Sequence, residues 1–483
     1  MIIKTIKWLV ILTLVSVGSL AAYLFVDFSA TETSDSAREQ SNNKIVNDIT
    51  QLNPIEVAEV IQPRSIEEIV DAVKNTTGNI SIGGGRYSQG GQIAYPNSLH
   101  LDMRKYNQLI YLDEKAKLVT VQAGMRWRDL QQILDTKNLS VKIMQTYANF
   151  TIGGSLSVNV HGRYVGQGAI IHSVESFKIV LADGSVRFVN RQLEPELFKS
   201  VIGGYGGLGV ITEVTLQVVD NHKVKRQSEL VYTNNYLNYF NQQIKDNQQV
   251  VFHNADIYPP SFIDMRAVSW IKTDDALTET ARLISDSQEY TWQPKLAELV
   301  AEYHVFKWAR QHLIEPVYYL ANTVQYRNYQ ASFNVSELEP KSREQTTYAL
   351  REYFVPVENF DSFTNKMRAV FKKHHVNVLN VSVRHAKADA ESYLSWSPQE
   401  VFAFVVYYRQ GTDKASKEAV RDWSREMIDA AISEGGRYYL PYQLHATAKQ
   451  FYQAYPFARL YFNAKRKYDP TNKFTNMLLD KYD

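Results

Sequence analysis

Cysteine is absent from all 483 residues. Its absence excludes disulfides, thiolate nucleophiles and cysteine-ligated metals, yet fits any redox compartment. Charge of one sign is missing too: 53 Lys and Arg stand against 51 Asp and Glu, a formal +2, so no electrostatic footprint favours nucleic acid. No His-x-x-x-His pair or acidic cluster accompanies the histidines, and no metal is expected. Internal repeats and low-complexity arrays are lacking as well. What remains is ordinary globular composition, 45% hydrophobic and 22% charged, in a chain longer than one core usually organises. Aromatic residues reach 12%, with 31 tyrosines, which suits either a planar-ligand pocket or plain core packing.

The first informative segment is Trp8 to Val26, 19 residues without a charge, which as a helix would be about 29 Å long, enough to span a bilayer. Lys4 and Lys7 precede it, and the next basic residue is Arg38. The positive-inside rule then places the N-terminus in the cytoplasm and the main domain on the extracytoplasmic side. Ser19 and Ala21 form a small-x-small pattern that also fits a cleaved signal peptide and a secreted protein. The apolar run continues past that site, which favours an uncleaved single-pass anchor over residues 1–28. Residues 29–51 read as a polar linker.

Globular patterning follows. A strand over 56–61 leads to a helix with Ser65 as N-cap, Glu68 completing a capping box, and Ile66, Ile69, Val70 and Val73 at helical spacing. A strand over 79–82 runs into the glycines beyond it. Further strands are expected over 99–103, 109–112 and 118–123, then a helix over 126–139. The strands 174–182 and 185–189 are joined by Asp183-Gly184, a tight-hairpin signal. A short helix over 194–202 and a strand over 210–219 close an α+β module. Beyond 222 the pattern weakens, with strands expected at 354–357, 376–384 and 400–408 and helices at 360–373 and 416–432.

Three glycine clusters carry the chemistry. Residues 83–91 read GGGRYSQGG, whose glycines let successive N–H groups converge on an anion, with Arg86 as countercharge and Ser88 as donor. Gly204, Gly206 and Gly209 have G-x-G-x-x-G spacing, but they follow a helix and open a strand, the reverse of a nicotinamide-binding fingerprint, and read as a backbone corner. Residues 151–162, TIGGSLSVNVHG, bring paired glycines, hydroxyls and an amide toward a flat polar ligand. His161 within them reads as a structural histidine.

In this order, and with LADG at 181–184, GGYGGLGVIT at 203–212 and YDPTNKFTN at 468–476, the clusters resemble the FAD-binding domain of the vanillyl-alcohol oxidase and p-cresol methylhydroxylase flavoproteins. The resemblance implies an α+β fold: an FAD-binding domain over 52–221, an α+β substrate domain over 222–440, and a C-terminal segment, 441–483, returning to the FAD domain. It implies that Gly84, Gly85, Arg86, Tyr87 and Ser88 wrap the pyrophosphate with Gln92 nearby. Thr146, Thr151, Gly153, Gly154 and Ser157 would line the cofactor from the other side, and Ile211 would contact the adenine half. Many members place a flavin-linking histidine where this chain has Tyr87, so non-covalent FAD is expected. Cytokinin-oxidising members place an aspartate base where this chain has Thr146, so that activity is not expected.

The implied reaction takes a hydride from a C–H beside an alcohol or amine to FAD, with oxygen or another acceptor reoxidising it. The substrate is expected to be small and hydroxylated, sugar-like or lipid-linked. The base is unassigned; Arg384, His385 and His445 are candidates because they follow strand-like runs. The alternatives are an NADPH-dependent reductase of the cell-wall-precursor type and a non-catalytic, membrane-tethered binding module.

Overall fold

The computed structural model describes residues 44–286, 293–338, 340 and 342–483. The expected anchor, and the linker as far as residue 43, lie outside them. Among the described residues no helix is long and apolar enough to cross a membrane. The linker ends earlier than expected: β1 (Ile45–Val46) pairs antiparallel with β2 (Ile55–Glu56), which buries Val46 with Ile55, Val57 and Ile93.

The first module holds two sheets. β3 (Glu59–Ile61), β4 (Ile80–Gly83) and β5 (Leu99–Asp102) form a parallel sheet in the order β3-β5-β4. The helix Ile66–Asn75 crosses it, with Ile69 and Val73 packed on Ile80, Leu101 and Phe474. Ser65 caps this helix by accepting from the Glu68 N–H at 3.2 Å. The Glu68 carboxylate, however, accepts from the Arg64 N–H at 2.7 Å, so the expected capping box closes one residue further out.

β6 (Leu109–Asp113), β7 (Leu118–Gln122), β8 (Leu139–Val141), β9 (Val174–Val180), β10 (Val186–Asn190) and β11 (Val210–Asp220) form an antiparallel sheet, ordered β10-β9-β11-β7-β6 with β8 on the end of β11. At the β9-β10 hairpin, Gly184 takes φ +76° and Asp183 accepts from the Ser185 N–H at 2.8 Å. The helix expected over 126–139 is Trp127–Asp135. Its last expected residue joins β8 instead, because pairing with β11 (Val218 to Val141) outweighs local helical propensity. The G-x-G-x-x-G cluster lies between the helix Pro195–Val201 and β11, a turn with Gly203 and Gly206 at positive φ.

The second module is one antiparallel sheet of eight strands. They are β12 (Lys223–Tyr232), β13 (Val250–Ile257), β14 (Asp264–Lys272), β15 (Val324–Tyr326), β16 (Thr346–Pro356), β17 (Val378–Ala386), β18 (Val401–Gly411) and β19 (Arg437–Tyr438), ordered β15-β12-β14-β13-β17-β18-β16-β19. The helices Phe360–Lys373 and Lys414–Ser433 cover one face, with Phe363 packed on Phe404 and Trp423 on Tyr408. The other face turns toward the first module across a cavity.

The C-terminal segment docks on the first module. Ile80 N–H donates to the Lys473 carbonyl at 2.7 Å, Asn476 Nδ2 to the Tyr205 carbonyl at 2.8 Å, and buried Lys465 Nζ to the Gly207 carbonyl at 3.0 Å.

Candidate functional site

A cavity of about 740 Å³ lies between the glycine loops of the first module and the open face of the eight-stranded sheet, within the usual range of cofactor and ligand sites. All twelve residues expected at a cofactor line it: Gly84, Gly85, Arg86, Tyr87, Ser88, Gln92, Thr146, Thr151, Gly153, Gly154, Ser157 and Ile211.

β4 delivers the first loop beside the short helix Ile152–Ser157, and glycine is required on both sides of the approach. A Cβ on Gly84 would lie 2.1 Å from Thr151 Oγ1, and one on Gly153 would lie 2.7 Å from the Ala123 Cβ. The glycines thus bring bare backbone to the cavity wall, where it can meet a bulky anion. Thr146 Oγ1 and Thr151 Oγ1 are buried without a hydrogen-bond partner, which fits a wall built to meet a polar ligand. The Tyr87 ring stacks on Phe150 at 4.1 Å and 15°.

Two of these lining residues also make bonds within the protein. Arg86 is not an open countercharge, since its guanidinium lies 3.3 Å from Asp102, which also holds Arg104 at 2.7 Å. Burial would raise the Asp102 carboxyl, but Arg104 and Arg86 outweigh it and hold the group at about 2. Gln92 braces the loop: its amide donates to the Leu440 and Tyr442 carbonyls at 2.7 and 2.8 Å and accepts from the Gly90 N–H at 2.8 Å.

The opposite wall follows strand parity. Alternate residues of a strand face opposite sides, so Asn380, Ser382 and Arg384 of β17, Leu350 and Glu352 of β16 and Asn254 and Asp256 of β13 all point into the cavity. Glu352 is the focus. Its Oε1 lies 2.5 Å from His161 Nε2, both side chains being 3% exposed. Its Oε2 accepts from the Tyr442 hydroxyl at 3.3 Å. Burial, then Glu352, push the Tyr442 phenol well up, which keeps it a donor at neutral pH. His161 is wedged by Trp396 and Phe354, with ring centroids at 4.8 and 5.5 Å. Arg384 Nε is buried without a partner.

The structure separates the three candidate bases. Arg384 lines the cavity. His385, its neighbour, faces the other side of β17, bonded to Glu400 at 2.7 Å and packed on Phe240 and Phe402. His445 lies 2.5 Å from Arg351, whose parity on β16 is opposite to that of Glu352. Burial and then Arg351 push the His445 imidazole well down. Neither histidine lines the cavity: His385 is on the covered face of the sheet, and His445, in the loop after β19, lies against Arg351. The sequence alone does not single out Glu352 or Tyr442, and it reads His161 as structural. The available signal was an acid at 352, in phase with Leu350 and Phe354 in the run LREYFVP.

The fold and this cavity define a two-module flavin-binding protein. Residues 57–190 match the family model described as an FAD binding domain. The chain is 22% identical to the mouse L-gulonolactone oxidase over 435 residues, covering 87% of this chain and 94% of that protein. It is 29% identical to an uncharacterized oxidoreductase of Rhodococcoides fascians, over 36% of this chain and 40% of that one. It is 27% identical to the D-arabinono-1,4-lactone oxidase of Saccharomyces cerevisiae, over 36% of this chain and 35% of that one. Matches to these last two therefore span two fifths or less of the relatives' length. A cholesterol oxidase of Brevibacterium sterolicum, as a His121Ala mutant, superimposes with a TM-score of 0.67 at 14% identity over 91% of this chain and 96% of that one, a likeness of fold. Residues 57–190 thus carry an FAD-binding domain, and the chain is similar to FAD-linked oxidoreductases in sequence and fold. FAD is its cofactor.

Proposed function

We propose that this protein oxidises a secondary alcohol group of a sugar-lactone-like or polyol substrate, with FAD held non-covalently. The observation that carries the reading is the buried Glu352 carboxylate, fixed by His161 and Tyr442 on the wall facing the flavin-domain loops. The mouse and yeast relatives named as lactone oxidases support the substrate class.

Bound FAD supplies the acceptor for the hydride that leaves the carbinol C–H. Glu352 takes the hydroxyl proton, so the C–H electron pair and the O–H proton depart separately and a carbonyl remains. His161 and Tyr442 hold the carboxylate in one orientation, which keeps an oxygen lone pair aimed at the substrate. Arg384 donates to the substrate oxygen as the carbonyl forms, and Asn380 and Ser382, on the same face of β17, offer further hydroxyl partners. Tyr87, in place of a linking histidine, leaves FAD without a histidyl bond.

Two measurements on the purified full-length protein test this. Acid precipitation should release the yellow colour to the supernatant; colour retained in the pellet overturns non-covalent binding. Anaerobic mixing with aldonolactones and alditols should bleach the flavin. Bleaching by NADPH, with none by any lactone or polyol, would sink the alcohol-oxidation reading.

A further inference from the structure

The second module carries an apolar face that none of its described residues covers. It is built from the helices His304–Ala309 and Glu315–Leu320, joined by a π-helical turn, Arg310–Ile314. Val305, Trp308, Leu313, Val317 and Leu320 recur at spacings of three, five, four and three, with the spacing of five falling across the wider π turn. They are 65, 54, 57, 68 and 83% exposed, and Tyr318 beside them is 60% exposed.

The opposite side of the segment is firmly held, so the exposed side is not a loosely packed strap. Lys307 Nζ donates to Asn377 Oδ1 at 2.7 Å and to the Val378 carbonyl at 2.9 Å, and Arg310 pairs with Glu315 at 3.0 Å. Arg226 donates to the Tyr318 and Ala321 carbonyls at the C-terminal end. Every formal charge described between Tyr303 and Leu320 is thus turned inward. Arg310, Glu315 and Tyr318 also line the cavity, which puts the apolar face at its mouth.

We infer that this face docks on a lipid bilayer. Contiguous exposed apolar surface of this kind marks an interaction site, and three observations select lipid over protein as the occupant. The face mixes aliphatic side chains with Trp308 and Tyr318, the aromatics that partition to headgroup depth. Among its described residues it presents no formal charge, its one exposed imidazole being His312, stacked on Trp308 at 4.9 Å, and no charged rim of the kind that surrounds a protein-docking surface is built into the segment. The chain also holds the uncharged run Trp8–Val26, and only the 17 residues from Asp27 to Asn43 separate it from the described fold. Seventeen residues can reach no more than about 60 Å in any conformation. Insertion of that run keeps the folded modules within reach of the bilayer, and the apolar face orients the cavity mouth toward it. The inference is independent of the proposed chemistry.

The lack of cysteine makes the test direct. Leu320→Cys and Val317→Cys, each carrying a nitroxide, are compared with Leu193→Cys, a 55% exposed position of the first module, in the full-length FAD-bound protein reconstituted into phosphatidylcholine vesicles. Labels at 317 and 320 should collide with membrane-dissolved oxygen and lose collisions with an aqueous nickel chelate, whereas the label at 193 should do the reverse. Nickel collisions at 320 equal to those at 193 would overturn the inference. Protection from both probes, or dipolar broadening between labels at 320, would overturn it in favour of another protein segment or a second copy.

Discussion

Replacement of Glu352 by glutamine is the sharpest test of the site, because it removes a proton acceptor while preserving shape. The amide can still accept from Tyr442 and meet His161 Nε2, now 2.5 Å from Glu352 Oε1, so the stability cost should be that of about one weakened hydrogen bond, roughly 0.5–1.5 kcal/mol. FAD should stay bound, since none of its expected contacts is touched. Loss of the base should slow flavin reduction by about 10²–10⁴-fold, roughly 3–5 kcal/mol on the barrier. The assay is anaerobic stopped-flow bleaching of the bound flavin at saturating substrate, which isolates this step from reoxidation. His161→Gln should slow the same step by less, because His161 positions the carboxylate. The double variant should be little worse than Glu352→Gln alone, as expected of residues acting as a unit. A Glu352→Gln protein that keeps its flavin and reduces it within about threefold of the native rate would refute the assignment, for a general base cannot be that dispensable.

Other predictions concern the two walls and the fold. Gly84→Ala places a methyl group 2.1 Å from Thr151 Oγ1, so it should cost about 1–3 kcal/mol and weaken FAD retention; Thr151→Ala in the same chain should restore part of both, read by flavin content and thermal unfolding. Arg384→Met should leave the yellow colour intact and lower kcat/KM by roughly 10–100-fold through loss of a charged hydrogen bond to substrate. Burial holds the His100 and His253 imidazoles neutral, down to about 3, whereas in the unfolded chain they take up protons near pH 6.5. Their stability contribution is therefore complete above about pH 6.5 and is lost toward pH 3, at up to roughly 1.4 kcal/mol per pH unit for each. The thermal midpoint should fall accordingly on acidification, and His253→Gln should shallow that fall.

Much of the flavin wall was legible because its requirements are local. A loop that must approach an anion needs glycine, and runs such as GGGRYSQGG and TIGGSLS announce that need whatever packs around them. The strands β12 to β15 were not legible for the opposite reason. β12 pairs with β14 along nine residues, Val224 with Lys272 through to Tyr232 with Asp264, and that pairing, rather than strong alternation, stabilises it. Long-range charge partners were not legible either: Arg86 pairs with Asp102, which no spacing rule places beside it.

The wall opposite the glycine loops is the instructive case, because the relevant signal was present and had to be read by parity. In the run VLNVSVRHA, Asn380, Ser382 and Arg384 alternate with Val381, Val383 and His385. A sheet strand with one polar and one apolar series has one face toward a polar cavity and one toward a core. Residue type alone favours His385 as a base, but its phase with the two valines assigns it to the core, where Phe240 and Phe402 surround it. The same rule applied to LREYFVP sets Glu352 apart from Arg351, and with Arg351 goes His445. Glu352 then stands as a carboxylate in phase with Leu350 and Phe354, buried where an acid is tolerated only if it is paired. His161 provides that pairing from 191 positions away in the chain. A histidine and an acid far apart in the sequence thus become one hydrogen-bonded pair only where the two modules meet.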